Sequence, residues 1–287
     1  MEPGRIGIWG RLFWGERDAV MDAAAQLEDL GYGALWFPNG AGMFERAADL
    51  LAATRRVVVA TGIASIWAHA PAEASAAHKS LTQAHPGRFL LGLGVSHQQL
   101  VDRDQPGRYS RPLTKMREYL DSLDAAPTPV PVQERMLAAL GPRMLELARD
   151  RSVGAHPYLG TVEHTRRARQ VLGSDRLIAA ELGVVIEPDP ARARAIARQH
   201  LRFYLRAPNY TNNWRRLGFT EDDLANDGSD HLVDTVVAWG SVEAVHERIA
   251  EHHQAGADHV CLQVIGPPDA PDLPWKEWRA LAAARPV

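Results

Sequence analysis

The chain has 287 residues, of which 46% are hydrophobic and 23% charged, and its formal net charge is −3. This is the composition of an ordinary globular protein that can bury a large core. The near-neutral charge gives no reason to expect nucleic acid or an acidic membrane as a partner. A single cysteine, Cys261, excludes a disulfide scaffold and favours a reducing, cytoplasmic compartment. No apolar run fits a secretory signal or a membrane span.

Short apolar or β-branched runs alternate with longer amphipathic runs along the chain. The first predicted strand, 5–9, precedes a helix over 17–30 that Gly31 ends. In chain order, the next strand and helix pairs are 34–37 with 43–54, 56–62 with 71–85, 89–94 with 112–123, 136–140 with a short helix opening at Gly141-Pro142, and 152–155 with 162–172. The seventh strand, 178–186, precedes a helical insertion over 190–230 that is interrupted at Pro208-Asn209. A helix over 242–255 then leads to the eighth strand, 259–265.

Eight strands in regular alternation with helices favour a closed α/β barrel, because parallel strands need right-handed crossovers of this length. A doubly wound open sheet is the alternative. We therefore predict a single (β/α)8 (TIM) barrel domain over residues 1–287, with the helical insertion 190–230 after strand 7.

In such a barrel the active site lies just beyond the carboxyl ends of the strands. The sequence there has no pair of carboxylates for glycoside hydrolysis, no lysine for a Schiff base and no cluster that predicts a metal site. Tryptophan, tyrosine, histidine, serine and glycine are what it offers, and this set suits a flat heterocyclic cofactor. The alternative is that the tryptophans only fill the barrel core.

Two glycine motifs invite a phosphate-binding interpretation. The run Gly92-Leu93-Gly94 is not a dinucleotide fingerprint, because His97 replaces its third glycine and the strand is the fourth. Leu140-Gly141-Pro142 is a better candidate, since a glycine at a helix entry leaves free N–H groups and the positive end of the helix dipole for a phosphate.

Three segments resemble the luciferase-like family, specifically its coenzyme F420-dependent branch and a mycobacterial-type subfamily. They are residues 61–66 (Thr-Gly-Ile-Ala-Ser-Ile), residues 87–96, and Leu140-Gly141-Pro142 together with Gly154-Ala155-His156-Pro157. In the family, the first segment carries a non-prolyl cis peptide behind the deazaflavin ring. The resemblance implies that this bond joins Ser65 and Ile66 here.

The resemblance implies hydride transfer between F420 and a small organic substrate that the sequence does not identify. His97 is the first candidate for the proton-transfer group, with His156 and Tyr158 as the second pair, although each could instead have a structural role. Alcohol-oxidising relatives carry an acid and a histidine where this chain has Pro38-Asn39-Gly40, which puts that reaction in doubt. The implied cofactor-binding residues are Trp9, Asn39, Ser65, Ile66, Trp67, Gly94, Val95, Ser96, Ala139, Leu140 and Gly141.

Other functions stay open. The same barrel could use FMN as a reductase or monooxygenase, or bind F420 or flavin without turnover. A cofactor-free hydrolase would need Ser65 or Ser96 with His97, and neither serine lies in a nucleophile elbow. We expect a homodimer, with the helices over 71–85 and 112–123 as the first place to look for its interface. Arginines 202, 206, 215 and 216 favour a charged helix face over an anion clamp, and Tyr204, Tyr210 and Trp214 are candidates to line a lid.

Overall fold

The structure is a computed structural model that describes residues 2–10, 13, 15–103, 105–267 and 273–284. Its strands are all parallel, and eight of them close into a barrel in which the last pairs with both the first and the seventh. The predicted barrel is therefore confirmed, and the open sheet is excluded. The barrel strands are β1 (Ile6–Trp9), β2 (Ala34–Phe37), β3 (Val58–Thr61), β5 (Phe89–Gly94), β6 (Arg135–Leu137), β7 (Gly154–Ala155), β8 (Leu177–Val185) and β10 (His259–Val264). Two short strands, β4 (Ala64–Ser65) and β9 (Val237–Trp239), extend β5 and β8.

Helices surround the barrel. They are α1 (Arg17–Asp29), α2 (Met43–Ala53), α3 (Pro71–Ala84), α4 (Gln98–Val101), α5 (Pro112–Asp124), α6 (Pro142–Arg151), α7 (Val162–Leu172), α8 (Pro190–Leu201), α9 (Pro208–Leu217), α10 (Glu221–Leu224), α11 (Asp230–Val236), α12 (Val242–Gln254) and α13 (Trp275–Ala283). Single 3-10 turns occupy Val132–Glu134 and Tyr204–Arg206. Within the described ranges, no helix is both long and apolar enough to cross a bilayer.

The barrel strands are buried on both faces, which explains why they read as nearly continuous apolar runs. Along β8, Ile178, Ala180 and Leu182 pack against the helices, whereas Ala179 faces the barrel interior with Trp36. The helices α8 to α11 form a second cluster of their own around Leu201, Tyr210, Trp214 and Val233, all buried there. This second cluster places α9 and the turn before it over the mouth of the barrel.

The cis peptide prediction was wrong in its position. The non-prolyl cis bond joins Gly62 and Ile63, not Ser65 and Ile66. Strand β3 ends at Thr61, and the chain re-enters the sheet as β4, where Ala64 pairs with Leu93 and Ser65 with Gly94. The irregular residues between the two strands are therefore 62 and 63, and Ser65 belongs to a regular ladder.

Candidate active site

A cavity of about 1150 Å³ opens at the carboxyl ends of the strands, between the barrel mouth and helices α5, α6 and α9. Its floor includes Trp9, Gly62 and Ile63, and the indole of Trp9 donates a hydrogen bond from Nε1 to the Gly62 carbonyl at 3.1 Å. Gly94 must be small here, because a Cβ atom on it would lie 2.6 Å from the Ile63 side chain. Eleven of the predicted site residues line the cavity: Trp9, Asn39, Gly94, Val95, Ser96, His97, Ala139, Leu140, Gly141, His156 and Tyr158.

Three predicted cofactor-binding residues do not line the cavity. Ser65 is buried at the end of β4 and Ile66 in the turn after it, where the Ile66 amide donates to the Gly94 carbonyl at 3.1 Å. Trp67 donates from its indole Nε1 to the Val95 carbonyl at 2.7 Å and packs beside Tyr109. These residues support the loop after β5 from behind, and their position follows from the ladder between β4 and β5.

His156 lies at the cavity floor and is almost completely buried. Its Nδ1 donates to the Ala179 carbonyl at 2.8 Å, and its ring stacks on Trp36 at 4.5 Å. Burial lowers the pKa of His156 to about 4, so the ring is neutral at pH 7. The proton is then on Nδ1, which leaves Nε2 as an acceptor with no partner among the described residues. This geometry makes His156 an acceptor of hydrogen bonds rather than a proton donor.

The hydroxyl of Tyr158 is occupied by hydrogen bonds within the protein. Its hydroxyl donates to Gln263 Oε1 at 2.6 Å and lies 2.9 Å from the Tyr204 hydroxyl. Burial raises the pKa of Tyr158 well above its usual value of 10, with Tyr204 and Glu181 adding to the effect. A phenol held in this way joins the barrel mouth to the turn before α9, and it is poorly suited to exchange protons near neutral pH.

His97 follows β5 and is surrounded by aromatic rings of the segment before and within α9. The rings of Phe203 and Tyr210 have their centres 5.5 Å from the imidazole centre. Burial lowers the pKa of His97 below 6.5, and a hydrogen bond with Asn209 acts in the opposite direction. Its Nδ1 is buried and has no partner among the described residues. Among the described residues, the side-chain partner of His97 is Asn209 and its Nδ1 has none, so Ser96, the serine that lines the cavity, does not form a serine–histidine pair with it.

One end of the cavity is positively charged. Gly141 caps the amino end of α6, and Pro142 is its first residue, so the positive end of the helix dipole lies at this end. Arg143 and Arg216 also line it, and neither forms an ion pair with a described residue. Arg215, next to Arg216, instead pairs with Glu221 at 2.5 Å. The cavity therefore combines an aromatic floor with an end suited to an anion.

Comparison with known proteins decides the family. The model of the luciferase-like monooxygenase family matches residues 15–259. The chain belongs to this family. A Mycobacterium tuberculosis protein named "Putative coenzyme F420-dependent oxidoreductase Rv3520c" is 25% identical over an alignment that covers 88% of this chain and 91% of that protein.

Solved structures share the luciferase-like fold over nearly the whole chain. One is an F420-dependent secondary alcohol dehydrogenase in complex with an F420–acetone adduct, at 14% identity and a TM-score of 0.74, covering 99% of this chain and 98% of that one. The coenzyme F420-dependent tetrahydromethanopterin reductase of Methanopyrus kandleri has 16% identity and a TM-score of 0.73, covering 99% and 97%. The FMN complex of the oxygenating constituent of 3,6-diketocamphane monooxygenase from Pseudomonas putida has 15% identity and a TM-score of 0.69, covering 98% and 96%.

Two groups inside this luciferase-like barrel were not singled out by the sequence analysis. Glu181 on β8 is fully buried, and its Oε2 accepts the Leu159 amide at 2.8 Å. Burial raises the pKa of Glu181 to about 8. His259 on β10 accepts a hydrogen bond from the Trp36 indole at 3.1 Å and donates from Nδ1 to the Gly4 carbonyl at 2.8 Å. A lone charged residue in the apolar run of β8 was the signal available in the sequence.

The part of the chain that the structure describes contains no group of three or more histidine, cysteine, aspartate or glutamate side chains placed to hold a metal ion. The cavity lining given by the described residues likewise contains no aspartate or glutamate. Its polar atoms are those of histidines, tyrosines, asparagines, one serine, arginines and backbone N–H groups. This inventory suits the binding of an aromatic ring and an anionic tail.

Proposed function

We propose that this luciferase-like protein is a coenzyme F420-dependent oxidoreductase, which transfers a hydride between the deazaflavin and a small organic substrate. The observation that carries the proposal is the cavity itself. Its volume is about 1150 Å³. Pockets for a single small ligand usually have about 300 to 1,000 Å³, so this cavity has room for a cofactor and a substrate. Its walls are aromatic, and its free polar atoms are too few to perform redox chemistry alone.

The side chains fit a flat ring with a phosphate. Trp9, Gly62 and Ile63 would lie against the ring, above the neutral imidazole of His156 in the cavity floor. The amino end of α6, with Arg143 and Arg216, would bind the phosphate. When bound, the cofactor supplies the hydride chemistry.

The chain would supply orientation, water exclusion and one proton site. His97 is the residue that can hold or release a proton near neutral pH, because it lines the cavity and its Nδ1 has no partner among the described residues. Phe203, Tyr204 and Tyr210 would keep water away from that atom. Tyr158 would hold Tyr204 in place through the contact between their hydroxyls.

FMN is the second candidate cofactor, in a reductase or monooxygenase. It is favoured by the shared fold with the FMN complex described above. FMN also combines a tricyclic ring with a phosphate, so the same aromatic floor and the same amino end of α6 would accommodate it. The two cofactors must therefore be distinguished by binding.

The test is a pair of titrations of the purified protein with F420 and with FMN, followed by the fluorescence of each cofactor. We expect micromolar or tighter binding of F420 and none of FMN. Ala139→Phe, which fills the cavity wall, should abolish binding, whereas Ala52→Phe on the exposed face of α2 should not. FMN binding alone would establish the alternative. Binding of neither would refute a cofactor-dependent function.

Turnover needs a separate measurement. Reduced F420 should be oxidised by at least one member of a panel of small electrophiles, and His97→Ala should abolish that oxidation while leaving F420 binding within a few-fold of wild type. Tight F420 binding with no oxidation across the panel would instead support a protein that binds the cofactor without turnover.

A further inference from the structure

Asn39 lies where β2 ends and lines the cavity. Its side-chain oxygen accepts a hydrogen bond from the Ser65 amide at 3.1 Å, and the same oxygen lies 3.0 Å from His69 Nε2. Turning the amide over would place its NH2 group against the Ser65 N–H, so that two donors would face each other. The direction of the Asn39 amide is therefore fixed.

The fixed amide determines the protons on His69. Since Asn39 presents an oxygen, His69 must donate from Nε2. Its Nδ1 lies 3.0 Å from Glu73 Oε1, a carboxylate that can only accept. Asn39 and Glu73 thus hold the two nitrogens of the His69 ring. The Glu73 carboxylate is held in turn by the Ala70 amide at the start of α3.

The hydrogen-bonded series Asn39–His69–Glu73, called the relay below, has free donors at one end. The Asn39 NH2 group carries two donors, and no described residue accepts from them. Asn39 itself lines the cavity. We propose that Asn39 donates from this group to an oxygen acceptor of the bound cofactor, such as a ring carbonyl, and that His69 and Glu73 are positioning residues that set its direction. The inference rests on the proposed function for the identity of the ligand, but the relay itself exists without one.

The first experiment tests the relay in the ligand-free protein. Nitrogen-15 NMR of the His69 ring should show a proton on Nε2. In Asn39→Ala the ring loses its Nε2 acceptor, and its signals should shift. A wild-type ring with a bare Nε2 would overturn the proposal whatever cofactor the protein uses.

The second experiment measures cofactor affinity, with F420 and FMN as the probes. Asn39→Asp keeps the oxygen that faces Ser65 and His69 but removes the donors, and it should weaken binding roughly tenfold, as for a lost hydrogen bond in a ligand site. His69→Phe keeps the ring contact with Phe44 and should weaken binding several-fold, whereas His69→Gln, which can still donate to Asn39, should restore most of it.

A double-variant comparison separates positioning from general damage. If His69 acts only through Asn39, then His69→Phe costs affinity in the wild-type chain and nothing further in an Asn39→Ala chain. Equal losses in both backgrounds, or unchanged affinity in Asn39→Asp, would overturn the inference while wild-type binding left the proposed function standing. A wild-type protein that binds neither probe would refute the proposed function and the donor role of Asn39, and the NMR result would then report on the relay alone.

Discussion

The buried carboxyl of Glu181 leads to a prediction about stability. The side chain is fully buried inside the barrel, and burial raises its pKa from 4.5 to about 8. The folded protein therefore keeps a proton on Glu181 at pH values where the unfolded chain has released it. The contribution of Glu181 to the free energy of unfolding should fall as the pH rises through this window, and Glu181→Gln, which cannot ionise, should remove that contribution.

The size of the effect follows from the pKa shift. Each pH unit between the unfolded and folded pKa values changes stability by about 1.4 kcal/mol per proton. Between pH 6.5 and 8 the fall should amount to roughly 1.5 to 2 kcal/mol after allowing for partial ionisation near pH 8. Buried histidines such as His156 and His259 act in the opposite direction in this window, because their pKa is about 4 when folded and the unfolded chain binds more protons at pH 6.5. The contribution of Glu181 is therefore measured as the difference between the wild type and Glu181→Gln, in which the histidine contributions cancel.

The assay is urea unfolding at pH 6.5 and at pH 8 for the wild type, Glu181→Gln and Glu247→Gln, the last being an exposed carboxylate on α12. The change in stability between the two pH values should be the same for the wild type and Glu247→Gln, and for Glu181→Gln it should be more favourable by about 1.5 kcal/mol. Comparing these changes avoids the separate cost of placing a glutamine amide in the site. Equal changes in all three proteins would show that Glu181 is not protonated in the fold.

Three further predictions follow from named contacts. Because Asn209 raises the pKa of His97 against the effect of burial, Asn209→Ala should lower that pKa further, which an NMR titration of the ring would measure, and an increase would contradict the assignment. Arg216→Ala should weaken binding of a phosphorylated cofactor by up to roughly tenfold, whereas Arg215→Ala, whose arginine pairs with Glu221, should change it little; equal effects would remove the anion role of Arg216. His259, with a pKa of about 4 when folded against 6.5 when unfolded, should cost roughly 2 to 3 kcal/mol of stability as the pH falls from 6.5 to 4. Urea unfolding of the wild type and of His259→Gln across that range checks this, and equal losses in the two proteins would contradict it.

The fold was predictable because the apolar patterns that mark its strands and helices are local in the sequence. Strands β2 and β5 begin and end at the predicted residues, and β10 ends one residue short of its predicted end. Strand β6 was less well predicted, since residues 138 to 140 leave the strand conformation to reach the capping Gly141. Apolar periodicity records burial, and a residue at the barrel mouth can be apolar without belonging to a strand.

The sequence predicted which residues lie near the site, but not their protonation states or hydrogen bonds. The rule that barrel sites lie beyond the strand ends selects His97, His156 and Tyr158, and all three line the cavity. Their states depend on partners far away in the sequence, such as Ala179 for His156 and Gln263 for Tyr158. No spacing in the sequence encodes these contacts. The neutral state of His156 and the hydrogen-bonded hydroxyl of Tyr158 could therefore be recognised only in the folded structure.

The tryptophans of β1 and β2 show that the fold can place similar residues in different surroundings. Trp9 and Trp36 pair in register on β1 and β2, and both face the barrel interior, yet Trp9 lines the cavity floor and Trp36 lies beneath His156. Trp36 also donates to His259, which in turn donates to the Gly4 carbonyl. A continuous series of contacts thus runs from the cavity floor to the point where β10 closes the barrel against β1. Because this closure joins segments more than 250 residues apart, the floor of the site is complete only when the whole barrel has formed.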